Sequence, residues 1–335
     1  EWVVSFYLDD NFNDTGTLYV TSVLSSEDYG LKQYYANLGI DSGGDTEVTT
    51  NSNKDQLANY VVRDNSLYIT YDGGEKYVTV PASYSYLLYE DNSTTSLKEG
   101  SYMITTEKTA FVYGGKTANS TKVPVTVIYS DDKGENWTTC ELDNIYNADY
   151  YYVKFFDVNN GVVICGYAKS NDTNESSRIY KTSNGGESWE TVGSGPATNI
   201  IKGVVYVTAD VGFFCYDYVD GMDSNLYKTD DGGKTFAKVI LEAQELDSSA
   251  ANSQNQESSS KADGTSVTSE STEQLKWNDV YKEALVPVVD STGIITIYLT
   301  QGKNGVYNDG KTAAKYQSSD NGSTWKYIGQ MEIKD

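Results

Sequence analysis

One eight-residue pattern occurs five times in this chain: Ser or Thr, then Asp or Asn two positions later, Gly at the fifth position and an aromatic residue at the eighth. Such repetition strongly constrains the fold, because repeat architectures use one supersecondary unit per repeat. The copies begin 60, 52, 47 and 89 residues apart, and the longest interval contains a polar tract. The five copies are residues 70–77, 130–137, 182–189, 229–236 and 318–325.

Each copy joins two strand-like runs, as 177–182 and 188–192 flank the third copy. A hydroxyl and a carboxylate can bond to loop backbone, glycine adopts positive φ, and the aromatic residue packs into the core, so the pattern predicts a hairpin turn. The third copy has Asn in place of Asp, which favours a hydrogen-bonding role over acid–base chemistry or calcium binding. The predicted structural residues are Asp72, Asp132, Asn184, Asp231 and Asp320.

The repeat resembles the Asp box of BNR-repeat proteins, the sialidase-like β-propeller superfamily, over most of the chain from about residue 60 onward. It is also similar in style to the photosystem II stability and assembly factor propellers, which bind protein partners. The resemblance implies an all-β fold, a single β-propeller of four-stranded blades with the box between the third and fourth strands.

Strand-like runs rich in Val, Ile, Tyr and Phe follow that order in four units. They are 102–107, 109–115, 125–131 and 137–142; then 152–157, 162–168, 178–182 and 189–192; then 203–208, 212–218, 225–229 and 236–241; and finally 284–290, 293–300, 313–318 and 325–330.

The N-terminal part leaves two alternatives open. Runs 2–9 and 17–24 match a first and second strand, and 32–40 with 46–50 can complete that blade around a degenerate box at 41–44. This gives six blades, whereas a long loop over 25–58 gives five. Removing a 35-residue insertion from 335 residues leaves 300, about 50 per blade, which favours six.

The tract 242–276 holds almost no large apolar side chains, so it cannot bury enough area to offset the entropy of ordering. We therefore predict one propeller domain over 1–335 with a polar, low-complexity insertion at 242–276.

Charge restricts the partners. The chain carries 48 acidic and 25 basic residues, a net charge of −23, which repels nucleic acid and anionic lipid and leaves cations and neutral ligands. No apolar run approaches the 18 residues of a membrane span, so direct membrane insertion is not expected.

The residue inventory excludes several chemistries. With no His, Ser-His-Asp hydrolases and His-ligated zinc sites are excluded, and Arg63 and Arg178 are too few for the arginine triad that the sialidases of the resembled superfamily use. Cys140, Cys165 and Cys215 lack CxxC spacing and are predicted to be buried free thiols. We expect no metal and no cofactor.

In the resembled fold, ligands use the face opposite the boxes, formed by the fourth-to-first and second-to-third strand connections. Those connections are rich in Tyr and Asp, which suit sugars because rings pack on C–H groups and carboxylates accept hydroxyl protons. The candidate ligand-binding residues are Tyr84, Tyr86, Tyr89, Asp149, Tyr150, Asp217, Tyr218, Asp220 and Tyr307.

These observations favour a non-catalytic binding propeller that recognises a glycan or protein ligand through Tyr/Asp-rich loops. The alternative is a glycoside hydrolase or lyase on a neutral polysaccharide with paired carboxylates such as Asp149 and Asp217, which need no His. The Tyr, Asn, Ser and Thr content with Lys far above Arg is typical of an exported or cell-surface bacterial protein, whose signal or anchor we expect to lie outside this sequence.

Overall fold

The computed structural model describes residues 2–8, 18–25, 58–63, 66–82, 87, 97–116, 122–142, 148, 150–166, 177–244, 277–303 and 305–333. They form antiparallel sheets that follow one another in chain order. The first sheet pairs β1 (Trp2–Leu8) with β2 (Leu18–Ser25), and the second joins β3 (Asn59–Arg63), β4 (Ser66–Thr70) and β5 (Val78–Thr79).

The next three sheets each have four strands paired in sequence order. The third contains β6 (Tyr102–Ile104), β7 (Thr109–Lys116), β8 (Lys122–Ser130) and β9 (Thr138–Glu141). The fourth contains β10 (Tyr150–Phe155), β11 (Gly161–Gly166), β12 (Ser177–Thr182) and β13 (Glu190–Ser194). The fifth contains β14 (Ile201–Tyr206), β15 (Gly212–Tyr216), β16 (Leu226–Thr229) and β17 (Ala237–Lys238).

The sixth sheet follows one turn of helix, α1 (Trp277–Val280), and its first strand is interrupted. The segments β18 (Glu283–Ala284) and β19 (Val288–Val289) both pair with β20 (Ile295–Thr300), which leads to β21 (Thr312–Ser318) and β22 (Lys326–Glu332). The sequence predicted one continuous strand over 284–290. Pro287 breaks it because proline has no N–H to donate to the ladder.

Neighbouring sheets pack face to face through apolar clusters. Val127 of β8 and Val153 of β10 belong to one buried cluster, Ile164 of β11 and Val204 of β14 to a second, and Phe213 of β15 and Ile297 of β20 to a third. The second to sixth sheets, each sharing a buried cluster with the next, form blades of a β-propeller. The predicted strands at 32–40 and 46–50, the box at 41–44 and most of the predicted insertion lie outside the described residues, so six blades, with five as the alternative, stays a prediction.

The innermost strand β14 has one edge without a strand partner, and tyrosine side chains of the preceding sheet bond to it. The hydroxyl of Tyr150 accepts the backbone N–H of Val204 at 2.8 Å, and that of Tyr152 accepts the N–H of Tyr206 at 3.0 Å. Because unpaired edge donors are costly when buried, these tyrosines stabilise the contact between the fourth and fifth sheets.

All five copies of the repeat form the same turn. The first hydroxyl donates to the third residue's Oδ1 at 2.7–2.9 Å and accepts the N–H of the fifth-position glycine at 2.8–2.9 Å. That Oδ1 also accepts the N–H of the seventh residue at 2.8–3.1 Å. The fifth-position glycines have φ of 74–103°, where a Cβ would be strained.

The hydrogen bonds favour the ionised carboxylate in these turns. The hydroxyl and N–H of Thr235 hold the pKa of Asp231 well below its usual range, and those of Thr324 do the same for Asp320. Asn184 occupies the same position without any charge, so hydrogen bonding to the turn is what the five residues share.

The repeat turns lie beside the hairpins that join the first and second strands. Gly185 donates its N–H to Asn159 O at 2.8 Å, and Gly232 donates to Asp210 O at 2.8 Å. We call this side of the molecule the turn face. The opposite side, formed by the fourth-to-first and second-to-third strand connections, is the loop face.

Cys165 and Cys215 are buried free thiols, whereas Cys140 is only half-buried. The prediction for Cys140 was wrong because β9 is an outer strand and has no further strand to cover it. Burial raises the pKa of Cys215 to about 12.

Candidate functional site

The loop face contains a cavity of about 350 Å³ between the fifth and sixth sheets. Its volume is at the lower end of the range for small-ligand pockets. The lining residues are Asn199, Lys202, Asp217, Tyr218, Val219, Asp220, Lys282, Glu283, Gln301, Gly302 and Lys303.

Four chain segments converge on this cavity, two from each sheet. Asn199 and Lys202 lie at the start of β14, and 217–220 directly follow β15. In the sixth sheet Lys282 and Glu283 lie at the start of β18, and 301–303 follow β20. The cavity is therefore built from the beginnings of first strands and the ends of second strands, which the propeller topology places on one face.

Two ion pairs neutralise charges in the wall. Lys202 Nζ lies 2.7 Å from Asp217 Oδ1, and Lys282 Nζ lies 3.5 Å from Asp220 Oδ1. The second pair crosses from the sixth sheet to the fifth. Both pairs are partly exposed, so their charges remain accessible to a ligand.

Asn225 joins the two sheets behind the cavity. Its Nδ2 donates to Tyr216 O at 2.8 Å and to Ala284 O at 2.9 Å, and its Oδ1 accepts the N–H of Ala284 at 2.8 Å. The side chain is 1% exposed. Because Ala284 follows Glu283 directly, this contact sets the position of one cavity wall against the other.

Gln301 is held by the segment that contains Tyr307. Its Nε2 donates to Tyr307 O at 2.8 Å and its Oε1 accepts the N–H of Tyr307 at 3.0 Å. The Tyr307 ring is buried and lies edge-on to Tyr281, with ring centres 6.2 Å apart. Tyr307 therefore supports the cavity wall from behind.

The structure brings three of the sequence-predicted ligand residues together, since Asp217, Tyr218 and Asp220 all line the cavity. Tyr150 and Tyr307 are elsewhere: the Tyr150 hydroxyl bonds to β14, and Tyr307 is in the core behind Gln301. Tyr84, Tyr86, Tyr89 and Asp149 lie outside the described residues.

Sequence reasoning missed the lysines and the glutamate of the cavity. Lys202, Lys282 and Glu283 lie at the starts of innermost strands, outside the Tyr- and Asp-rich connections from which the site was predicted. Charged residues at the start of an otherwise apolar innermost strand were the available signal.

Apolar residues are exposed close to the cavity in the sequence. Val219, which lines it, is 53% exposed, and Ile200 and Val306, next to lining segments, are 48% and 59% exposed. In the described part of the chain, no group of three or more potential metal-ligating side chains is close enough to hold a metal ion. No helix among the same residues is long and apolar enough to span a membrane.

Glu99 is a second unusual group on the loop face, in the turn before β6. The residue is solvent-accessible, yet the surrounding protein limits the water around its carboxylate, and this desolvation raises the pKa from 4.5 to about 7. Sequence reasoning gave no signal for it.

We expect Glu99→Gln to stabilise the protein at pH 8 and to have little effect at pH 4. The folded-state pKa lies above the unfolded one, so the native state binds the extra proton and wild-type stability falls as pH rises from about 4.5 to about 7. Gln does not ionise. Melting temperatures of both proteins at each pH test this, and a difference that stays constant from pH 4 to pH 8 would contradict it.

Comparisons with known proteins give alignments to solved structures at low sequence identity. No protein-family model and no curated protein matches the chain. An ancestral GH74 enzyme aligns with a TM-score of 0.39 and 12% identity over 85% of this chain and 31% of its own. YCF48 bound to D1 peptide aligns with a TM-score of 0.39 and 13% identity over 81% of this chain and 77% of its own. The GH43 BlXynB protein from Bacillus licheniformis aligns with a TM-score of 0.31 and 11% identity over 69% of this chain and 41% of its own. The chain thus spans less than half the length of the two glycoside hydrolase chains.

Proposed function

We propose that this chain is a non-catalytic binding propeller of the Asp-box type, which holds a glycan or protein ligand in the cavity between the fifth and sixth sheets. The observation that carries the proposal is the convergence of Asp217, Tyr218 and Asp220 on one cavity of the loop face. The same turn geometry in all five repeats supports the Asp-box relationship. With a net charge of −23, an exported or cell-surface location and a partner other than nucleic acid fit the surface.

The ion pairs favour binding over catalysis. A glycosidase needs one protonated carboxylic acid beside one carboxylate. Asp217 and Asp220 are each already paired with a lysine ammonium group, at 2.7 Å and 3.5 Å, rather than with a second carboxyl group. A glycoside hydrolase or lyase acting on neutral polysaccharide is the second candidate, because Glu283 and the two aspartates line the same cavity.

Arrays of glycans and peptides, probed with and without calcium, test the proposal. We compare wild type with the charge-neutral double variant Asp217→Ala/Lys282→Ala, which removes one partner of each ion pair. The matched control is Glu75→Ala/Lys76→Ala, an exposed pair on the turn face. We expect the ligands of the wild-type protein to bind the control variant as well and not to bind the cavity variant.

Two results would contradict the proposed binding function. Retention of every ligand by the cavity variant would overturn the site, and release of sugar product from a bound polysaccharide would favour the hydrolase.

A further inference from the structure

The lining of the cavity also specifies a class of ligand. We propose that its ligand is a neutral oligosaccharide whose ring packs on Tyr218 and whose adjacent hydroxyls bond to the two ion pairs. This inference rests on the proposed function, because it concerns the same cavity.

The charges of the cavity cancel. Lys202, Lys282 and Lys303 give +3, and Asp217, Asp220 and Glu283 give −3, so the lining is neutral in a chain of net charge −23. An anionic ligand would meet the repulsive field of the whole protein, and a cationic ligand would compete with lysines already in place. A neutral ligand meets neither the repulsion nor the competition.

The ion pairs offer donors and acceptors side by side. In the Lys202–Asp217 pair an ammonium donor and a carboxylate acceptor lie 2.7 Å apart, and Lys282–Asp220 repeats the arrangement at 3.5 Å. Each sugar hydroxyl both donates and accepts, so neighbouring hydroxyls can bond to a carboxylate and an ammonium at once. Apolar peptide side chains have no donors or acceptors that could bond to these ion pairs.

Tyr218 supplies the aromatic surface that a sugar ring needs. It is the one aromatic side chain among the described lining residues, it is half-buried, and its hydroxyl makes no hydrogen bond to another described residue. A volume of about 350 Å³ fits a short segment of a chain rather than a long one.

The test measures binding of neutral hexasaccharides of glucose, mannose, galactose and xylose by calorimetry, with oligogalacturonate and chitosan hexamers as charged probes. We expect at least one neutral hexasaccharide to bind. Tyr218→Ala should weaken that binding about tenfold or more, while Tyr218→Phe, which keeps the ring, should stay within about threefold. Lys202→Met should also weaken it, and Lys76→Met, an exposed lysine on the turn face, should not.

The outcomes separate the two proposals. If no neutral hexasaccharide binds but an array peptide binds and is lost in Asp217→Ala/Lys282→Ala, the site is right and the ligand class is wrong. Binding of the charged probes alone, or neutral binding unchanged by Tyr218→Ala, also overturns the ligand class. If any ligand binds equally to wild type and to every cavity variant, the proposed function fails as well.

Discussion

Replacing Lys108 by alanine lowers the free energy of unfolding by about 3 kcal/mol or more. Lys108 lies in the hairpin between β6 and β7 of the third sheet and is 2% exposed. Its Nζ donates to Gly185 O at 2.6 Å, lies 2.5 Å from Asp131 Oδ1, and lies 4.4 Å from the ring centre of Phe155. Alanine would leave a cavity and a buried carbonyl group without a donor, at the junction of two neighbouring repeat turns.

Urea unfolding followed by tryptophan fluorescence measures this loss. The matched control is Lys238→Ala, whose ion pair with Asp223 at 2.8 Å is exposed, so its loss of stability should be much smaller than that of Lys108→Ala. Lys108→Met keeps most of the alkyl stem and should lose less than the alanine variant, since only the donors and the charge are removed. Equal losses in Lys108→Ala and Lys238→Ala would show that the buried lysine does not join the sheets.

Replacing Asn225 by leucine should also have a large effect: we expect it to lower the free energy of unfolding by about 3 kcal/mol. Leucine has a similar volume but leaves the N–H of Ala284 and the C=O of Tyr216 without their present partner, while the C=O of Ala284 keeps only the weaker Cys215 thiol donor at 3.3 Å among the described residues. Because the cavity walls come from the two sheets that Asn225 joins, ligand binding should fall together with stability.

Urea unfolding and ligand titration on one preparation measure both effects. The control Asn136→Leu changes an exposed asparagine that bonds only to its own turn, through Asp132 at 2.7 Å. For Asn136→Leu we expect the free energy of unfolding to fall by less than about 1 kcal/mol and ligand binding to stay unchanged. Stability and binding close to wild type in Asn225→Leu would contradict the role given to Asn225.

The repeat turns could be predicted from the sequence because the hydrogen bonds that define the turn lie within eight residues. Thr182, Asn184 and Gly186 satisfy one another locally, so the pattern determines the turn wherever it occurs. The loop face followed from the predicted strand order together with the family resemblance, and it led to Asp217, Tyr218 and Asp220.

Contacts between sheets could not be predicted from the sequence. Asn225 and Ala284 are 59 residues apart, and Lys108 and Gly185 are 77 residues apart, with no local pattern that pairs them. The same limit explains Tyr150, which lies in a predicted loop–strand junction but whose hydroxyl bonds to Val204 of the next sheet. Which tyrosines face a ligand depends on the packing of neighbouring blades, which single-strand patterns do not encode.

Cross-linking from the two faces tests the central claim, that ligand binds on the loop face beside the fifth and sixth sheets. A photoreactive phenylalanine analogue is placed at Val219 in the cavity or at Val158 on the turn face, two valines of nearly equal exposure, 53% and 50%. With the tightest-binding ligand from the arrays, we predict cross-linking from position 219, competed by excess free ligand, and none from position 158. Cross-linking from position 158 without any from position 219 would contradict it.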